Sequence, residues 1–234
     1  MQKHSLRTDG KKRVGDPKLA ARLNKELDGS VLFDKFSRGR YSTDASIYQI
    51  EPIGTVVPVS NADVERTITI AKDEGIPILP RGGGTSQCGQ VLGEALIIDT
   101  SKQLNRILQF DVETKTVEVE PGVVLDDLNR MLKPHNLFFP VDISTGSRAT
   151  IGGMAGNNAC GSRSIRYGNM VHNVLEIDAI LADGTKAHFG QVSGNLEDIG
   201  GPRSYLDIIS TLRKIAARES AEIDYRYPLS LIHI

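Results

Sequence analysis

The pattern of apolar positions in the first half of the chain alternates between strand-like and helix-like segments. Residues 55–59 and 76–79 are short apolar runs of the kind found in buried strands. Between them, Ser60 or Asn61 can cap a helix that continues through Glu74. A strand, a helix and a second strand in this order form a β-α-β unit, which predicts a small parallel sheet.

The second half of the chain has the pattern of antiparallel hairpins and amphipathic helices. Two pairs of segments predict hairpins, 107–110 with 116–120 and 174–182 with 186–189, the second pair flanking Asp183-Gly184. Helices are predicted at 124–132 and 205–219. Strands followed by segregated helices favour an α+β fold in two lobes.

A glycine-rich segment lies between the apolar runs 76–79 and 95–98, with the sequence Arg81-Gly82-Gly83-Gly84-Thr85-Ser86. Three glycines and two hydroxyls leave bare backbone N–H groups, which suit the diphosphate of a nucleotide. A mobile turn is an equally good interpretation of this segment alone. No Lys-Ser or Lys-Thr pair closes the loop and no helical pattern follows at once, which excludes a nucleotide-hydrolase loop and a Rossmann fingerprint.

A second glycine-rich segment occupies residues 144–169, with the sequence STGSRATIGGMAGNNACGSRSIRYGN and little amphipathic period. Glycine loses much conformational entropy wherever it is fixed, so two such segments need a reason. A large, flat, polar ligand lying against the backbone would explain both.

Three runs in fixed order carry a family resemblance: PRGGGTS, VEVEPGVVLDDLNRMLKPHNLFFPVD and ATIGGMAGNNACGSRSIRYGN. They resemble the PCMH-type FAD-binding domain of the vanillyl-alcohol oxidase and p-cresol methylhydroxylase superfamily, in particular its D-lactate, glycolate and D-2-hydroxyglutarate dehydrogenase branch. The resemblance covers roughly residues 46–226. It implies a two-lobed α+β fold, with a small parallel β-α-β lobe, a mainly antiparallel sheet with flanking helices, and FAD between the lobes.

The resemblance also implies a division of the chain. Residues 1–45, with a helix from Asp16-Pro17 through Leu27, are expected to form an N-terminal helical arm, and residues 46–228 the FAD-binding domain. Residues 33–49 (FDKFSRGRYSTDASIYQ) look like large bacterial members with a C-terminal iron–sulfur module. Since the family continues into a substrate-capping domain, we expect a C-terminally truncated domain and a non-native tail at 229–234.

The resemblance implies that the first loop holds the diphosphate through backbone N–H groups. Arg81 could pair with the phosphates or with an acidic neighbour, and a structural pairing is favoured. Pro121-Gly122 could equally be a plain strand-ending turn, and Tyr167 a half-buried anchor. The full set expected to bind the cofactor is Arg81, Gly82, Gly83, Gly84, Thr85, Ser86, Pro121, Gly122, Pro140, Asp142, Thr150, Ile151, Gly152, Gly153, Asn157, Ala159, Gly161, Tyr167 and Gly168.

The expected link to FAD is non-covalent. Members of the superfamily that tether the flavin through the first loop carry histidine where this chain has Thr85, and residues 141–147 contain no cysteine that could serve as a second tether. The family places the catalytic base, the carboxylate-binding arginines and any metal ligands in its later domain. We therefore assign no catalytic or metal-binding residue, interpret His135, His172 and His188 as structural, and expect this chain alone to be inactive.

Composition excludes several classes of function. Lys+Arg 28 against Asp+Glu 29 leaves no electrostatic footprint for nucleic acid. Cys88 and Cys160 lack a CxxC spacing, so an iron–sulfur cluster would need the missing C-terminal part, and both are expected to be free thiols. Without an apolar run of about 18 residues or a signal peptide, a cytoplasmic protein is expected, either free or peripheral to the inner face of the membrane.

The leading hypothesis is the FAD-binding domain of an oxidoreductase that converts a D-2-hydroxy acid into the 2-oxo acid. Its expected partners are a small 2-hydroxy acid and an electron acceptor, for which a quinone, a cytochrome and a flavoprotein all stay open. A flavin-dependent enzyme like alkylglycerone-phosphate synthase and a non-catalytic nucleotide-binding module are the alternatives.

Overall fold

The computed structural model describes residues 13–192 and 199–227. The elements of the first lobe are α1 (Pro17–Glu26), β1 (Ser30–Leu32), α2 (Lys35–Tyr41), β2 (Gly54–Val57), α3 (Asn61–Glu74), β3 (Ile78–Arg81) and β4 (Leu96–Asp99). Its strands form a four-stranded sheet with the order β1-β2-β4-β3, in which β2, β4 and β3 run parallel and β1 pairs antiparallel with β2. The predicted parallel β-α-β unit is confirmed, with the later strand β4 inserted between the two strands of that unit.

Local signals account for both ends of α3. The Ser60 hydroxyl accepts a hydrogen bond from the Asp63 N–H group at 3.2 Å and caps the first turn. Gly75 ends the helix in the left-handed conformation, with φ 63°. The helix therefore delivers the chain to β3, whose carboxyl end opens into the first glycine-rich segment.

The described part of the N-terminal arm, residues 13–45, is called the leader, and it contributes to the core of this lobe. Leu19, Leu23 and Leu27 are buried together with residues of β2, α3 and β4. The Asp16 carboxylate caps α1 by accepting a hydrogen bond from the Lys18 N–H group at 2.8 Å. The leader is thus part of the lobe's packing, and the expected division at residue 45 stays a prediction.

The second lobe combines two hairpins with helices. Among the described residues, its antiparallel strands form two separate two-stranded ribbons, whereas the resemblance implies a single, mainly antiparallel sheet. Each ribbon lies where the sequence predicts a hairpin. Around the second glycine-rich segment, the structure has three short helices that the sequence did not predict. The elements are β5 (Ile107–Asp111), β6 (Thr116–Val119), α4 (Leu125–Leu132), α5 (Ile151–Gly156), α6 (Ser164–Tyr167), α7 (Met170–Asn173), β7 (Ile177–Ile180), β8 (Lys186–Phe189) and α8 (Arg203–Arg226).

Helix α8 is longer than predicted and lies mostly in contact with solvent. Tyr205 is its buried residue, and its ring packs edge-on against Phe189 with 5.1 Å between ring centres. No helix in the described ranges 13–192 and 199–227 has both the length and the apolar composition needed to cross a bilayer. Residues 228–234, which include the expected non-native tail, lie outside the described part of the chain.

Candidate functional site

The first glycine-rich loop presents unused hydrogen-bond donors. It follows β3, at the carboxyl edge of the parallel strands. Within the described part of the chain, the backbone N–H groups of Gly83, Gly84, Thr85 and Ser86 donate no hydrogen bond. Successive backbone N–H groups that are free to donate can together bind an anion.

The glycines of this loop are needed for two different reasons. A Cβ atom on Gly82 would lie 2.3 Å from Thr150 Oγ1, and one on Gly83 would lie 2.2 Å from the carbonyl oxygen of Arg148. Gly84 has the positive φ angle of the three, 67°. The first two glycines therefore let the second glycine-rich segment approach, and the third turns the chain.

The N–H groups of Gly152 and Gly153, in the second glycine-rich segment, are hydrogen-bonded within the protein. The Thr150 hydroxyl caps α5 by accepting a hydrogen bond from the Gly153 N–H group at 3.3 Å. The Gly152 N–H group donates to the carbonyl oxygen of Pro121 at 2.9 Å, and a Cβ atom on Gly152 would lie 2.5 Å from the Pro121 ring. This segment is a wall against which the first loop packs, because Gly82 and Gly83 lie against Thr150 and Arg148.

Gly122 is fixed by close backbone packing. Its N–H group donates to the carbonyl oxygen of Leu104 at 2.7 Å, and a Cβ atom there would lie 2.3 Å from the carbonyl oxygen of Thr100. These contacts support the interpretation of Pro121-Gly122 as a strand-ending turn. Direct contact of this turn with the cofactor stays a prediction.

Asp142 is engaged by the turn that follows α5. Its carboxylate accepts hydrogen bonds from the Ser162 hydroxyl at 2.8 Å, from the Arg163 N–H group at 3.1 Å and from Arg163 Nε at 2.9 Å. The backbone and side-chain hydrogen bonds from Arg163, together with that from Ser162, lower the pKa of Asp142 to about 2. A Cβ atom on Gly161 would lie 2.2 Å from Asp142 Oδ1, so glycine at this position allows the contact.

The remaining predicted residues lie in the second glycine-rich segment or just before it. Asn157 Oδ1 accepts a hydrogen bond from Gln90 Nε2 at 3.2 Å and so links the end of α5 to the segment after the first loop. Tyr167 packs edge-on against Phe138, with ring centres 5.7 Å apart. Pro140 is half-buried, and Ala159 lies in the core of the second lobe. Gly168 follows the last residue of α6 and has a φ angle of 78°.

Arg81 pairs with the leader. Its guanidinium donates to the carbonyl oxygens of Tyr41, at 3.2 Å, and Thr43, at 2.8 Å, and lies 5.3 Å from the centre of the Tyr41 ring. Burial lowers the pKa of Arg81. A structural pairing was the favoured interpretation, but its partners are backbone carbonyls rather than an acidic neighbour.

Tyr41 and Asp99 are residues of the site that the sequence did not indicate. The Tyr41 hydroxyl donates to Asp99 Oδ2 at 2.6 Å, and the Ser101 hydroxyl and N–H group donate to Asp99 Oδ1 at 2.6 and 2.9 Å. Burial and the adjacent Asp99 carboxylate raise the pKa of Tyr41. Because 58 residues separate the two partners, no local pattern could have revealed the contact.

A cleft of about 480 Å³ opens where the leader, the end of β4 and the two glycine-rich segments meet. This volume lies in the range of small-molecule sites, roughly 300–1,000 Å³. Its walls include backbone of the first loop, the Thr150 cap and several cationic side chains. The loop and the cleft together fit a phosphate-bearing ligand, because they offer free N–H donors and positive charge.

The histidines have structural contacts. His135 packs edge-on against Phe110, with 4.9 Å between ring centres. His172 Nδ1 accepts a hydrogen bond at 3.0 Å from the N–H group of Asn169, the residue that caps α7. His188 Nδ1 lies 2.8 Å from Asp178 Oδ1, and this contact raises the pKa of His188. These contacts agree with the structural interpretation of all three.

Neither thiol is tied to a partner. Cys88 and Cys160 are exposed and form no disulfide within the described part of the chain. Among the described residues, no group of three or more His, Cys, Asp or Glu side chains is placed to hold a metal ion.

Comparisons with known proteins agree with this geometry. A family model described as "FAD binding domain" matches residues 52–190, more than half of the chain. The D-2-hydroxyglutarate dehydrogenase of Pseudomonas putida is 39% identical over 173 residues, which are 73% of this chain and 17% of that protein. The glycolate oxidase subunit GlcD of Bacillus subtilis is 35% identical over 163 residues, 68% of this chain and 35% of that protein.

A solved structure shares the fold. An alkyldihydroxyacetonephosphate synthase superposes with a TM-score of 0.67, covering 82% of this chain and 37% of that chain at 20% identity. At this identity the likeness shows the two-lobed fold alone.

Proposed function

Because the chain belongs to the FAD-binding-domain family, we propose that it is the cofactor-binding part of a flavoprotein that oxidises a D-2-hydroxy acid to the 2-oxo acid. The observation that carries the proposal is the row of free N–H donors at Gly83–Ser86, inside the matched range 52–190. The substrate class rests on the names of the relatives, a D-2-hydroxyglutarate dehydrogenase and a glycolate oxidase subunit.

The proposed roles of the residues follow from their contacts. The N–H groups of Gly83, Gly84 and Thr85, with the Ser86 N–H and hydroxyl, bind the diphosphate, because hydrogen bonds to an anion are charge-assisted. Gly82 and the segment from Thr150 to Gly153 keep the two loops in contact. The other predicted residues of the wall shape its surface toward the ligand: Pro121, Gly122, Pro140, Asp142, Asn157, Ala159, Gly161, Tyr167 and Gly168.

The chemistry that a bound flavin supplies is the acceptance of a hydride equivalent from the alpha carbon of the hydroxy acid. This chain contributes binding and orientation of the cofactor. We assign none of its described side chains as the base that takes the hydroxyl proton or as the clamp for the substrate carboxylate. The chain spans 17% of the Pseudomonas relative, and we propose that both functions belong to other parts of a longer protein.

The cofactor is proposed to be held without a covalent bond, since Thr85 stands where tethered relatives carry a histidine nucleophile. Acid precipitation of the flavin-loaded protein, followed by centrifugation, should leave all of the FAD in the supernatant. Yellow colour in the washed pellet would contradict this, and it would point to a nucleophile that replaces histidine.

The substrate, the electron acceptor and the cellular location are also proposals. We expect a small 2-hydroxy acid as substrate, with a quinone, a cytochrome or a flavoprotein as electron acceptor, in the cytoplasm or at the inner face of its membrane. An iron–sulfur cluster, if the longer protein carries one, would need ligands from outside this chain, because Cys88 and Cys160 are two free thiols without cluster spacing. The likeness to the synthase, at 20% identity, extends to fold and does not favour ether-forming chemistry.

A further inference from the structure

The cleft beside the first loop concentrates positive charge in a chain whose net charge is -1. Four cationic side chains line it, Arg40, Arg81, Lys102 and Arg148, against the single carboxylate of Asp99. The local excess of positive charge is therefore a property of this cleft and not of the whole molecule.

Two of the five charges are already engaged. Asp99 is 2% exposed and accepts hydrogen bonds from Tyr41 and Ser101. Arg81 is half-buried and donates to two carbonyl oxygens of the leader. Both groups are therefore held by contacts within the fold.

The other three cations are exposed. Within residues 13–192 and 199–227, Arg40, Lys102 and Arg148 form no ion pair and donate no side-chain hydrogen bond. Unpaired cations that line one cleft beside free backbone donors are suited to an anion with more than one charge.

Arg40 lies at the cleft because hydrogen bonds hold the leader against the glycine loop and the end of β4. It stands in the last turn of α2, next to Tyr41, whose hydroxyl bonds to Asp99. The Ala45 N–H group donates to the carbonyl oxygen of Gly84 at 3.1 Å.

We propose, on the basis of the FAD binding inferred above, that Arg40, Lys102 and Arg148 bind the diphosphate of the dinucleotide. The leader is then part of the cofactor site, although the family model begins at residue 52. The site combines neutral donors of the glycine loop with exposed cations around it. Affinity for FAD should accordingly fall as salt screens these charges.

The test compares FAD affinity at several salt concentrations for the wild-type chain and for Arg40→Gln, Lys102→Gln and their double variant. Each single change should weaken FAD binding about two- to fivefold at low salt, the range of exposed charge pairs. The double variant should also show a flatter dependence of affinity on salt. Lys214→Gln, which removes the same charge from the exposed surface of α8, is the matched control and should match the wild type in both respects.

The outcomes separate this inference from the proposed function. If the wild type binds FAD and the double variant binds it equally well at every salt concentration, the cations are not part of the site. If the double variant binds more weakly but keeps the wild-type salt dependence, the substitutions act through the fold, and the inference is equally overturned. Failure of the wild type to bind FAD at all would instead remove the proposed function, and this inference with it.

Discussion

At the scale of single residues, the site depends on which backbone groups remain free. In the second glycine-rich segment the N–H groups of Gly152 and Gly153 are hydrogen-bonded, whereas those of Gly83 to Ser86 donate no hydrogen bond within the described part of the chain. Glycine in the first loop serves mainly to let two backbones approach, and only Gly84 of its three glycines has a positive φ. A glycine count in the sequence cannot distinguish these two uses.

Gly83→Ala should weaken FAD binding at least about tenfold and lower the free energy of unfolding by roughly 1–3 kcal/mol, the usual effect of overpacking. The added Cβ atom would lie 2.2 Å from the Arg148 carbonyl oxygen, so one backbone must move. Titration with FAD and urea unfolding measure the two effects.

Gly156→Ala is the matched control. A Cβ atom there meets no atom within 4 Å, and alanine suits a helix better than glycine, so affinity and stability should not fall. Equal behaviour of the two variants would show that the contact between the loops is looser than described.

At the scale of elements, the leader is part of the lobe that carries the glycine loop. Helix α1 supplies leucines to its core, β1 extends its sheet, and α2 supplies Tyr41 to Asp99. We therefore expect destabilising substitutions in the leader to weaken FAD binding at the glycine loop as well, because the two share this packing.

Leu23→Ala in α1 should lower the free energy of unfolding by about 2–5 kcal/mol, because Leu23 is 0% exposed and its removal leaves a cavity. Leu212→Ala in α8, where the leucine is 60% exposed, should change it by less than about 0.5 kcal/mol. Chemical denaturation of both variants measures the difference. A similar small effect in both would mean that α1 is a detachable arm.

The sequence predicted elements that have strong local signals. The unit from β2 through α3 to β3 was predicted from apolar runs and from the caps Ser60 and Gly75, and both hairpins were predicted from alternation and turn residues. Helices α5 to α7 were missed because they are four to six residues long and lack an amphipathic period. Helix α5 begins at the Thr150 cap, and Met154 of α5 packs with Met170 of α7 in one core cluster, a long-range contact that only the folded chain reveals.

The sequence predicts only those parts of the candidate site that have a strong local signal. Both glycine-rich segments stand out in the sequence, and the structure brings them into contact through Gly82 and Thr150. Tyr41 and Asp99 could not be found, because their pairing spans 58 residues and neither lies in a distinctive motif. The placement of the predicted cofactor ligands around FAD itself remains a prediction.

At the scale of the whole molecule, the chain provides a cofactor site without an assigned substrate site. Reconstituted with FAD, it should not be reduced by D-lactate, D-2-hydroxyglutarate or glycolate. Positioning of substrate against the flavin contributes roughly 7–11 kcal/mol of barrier lowering in such reactions, and no described side chain is assigned to it. Anaerobic mixing while following flavin absorbance measures this, and rapid bleaching by any of the three acids would reveal a complete active site within these residues.

The most direct test of the account is an equilibrium titration of this chain with FAD and with FMN, followed by the quenching of flavin fluorescence. The glycine loop and its cleft are proposed to recognise a diphosphate, which FAD has and FMN lacks. FAD should therefore bind at least about tenfold more tightly than FMN, in line with the strength of charge-assisted hydrogen bonds. Equal affinities for the two flavins would contradict the assignment of this loop as the diphosphate site.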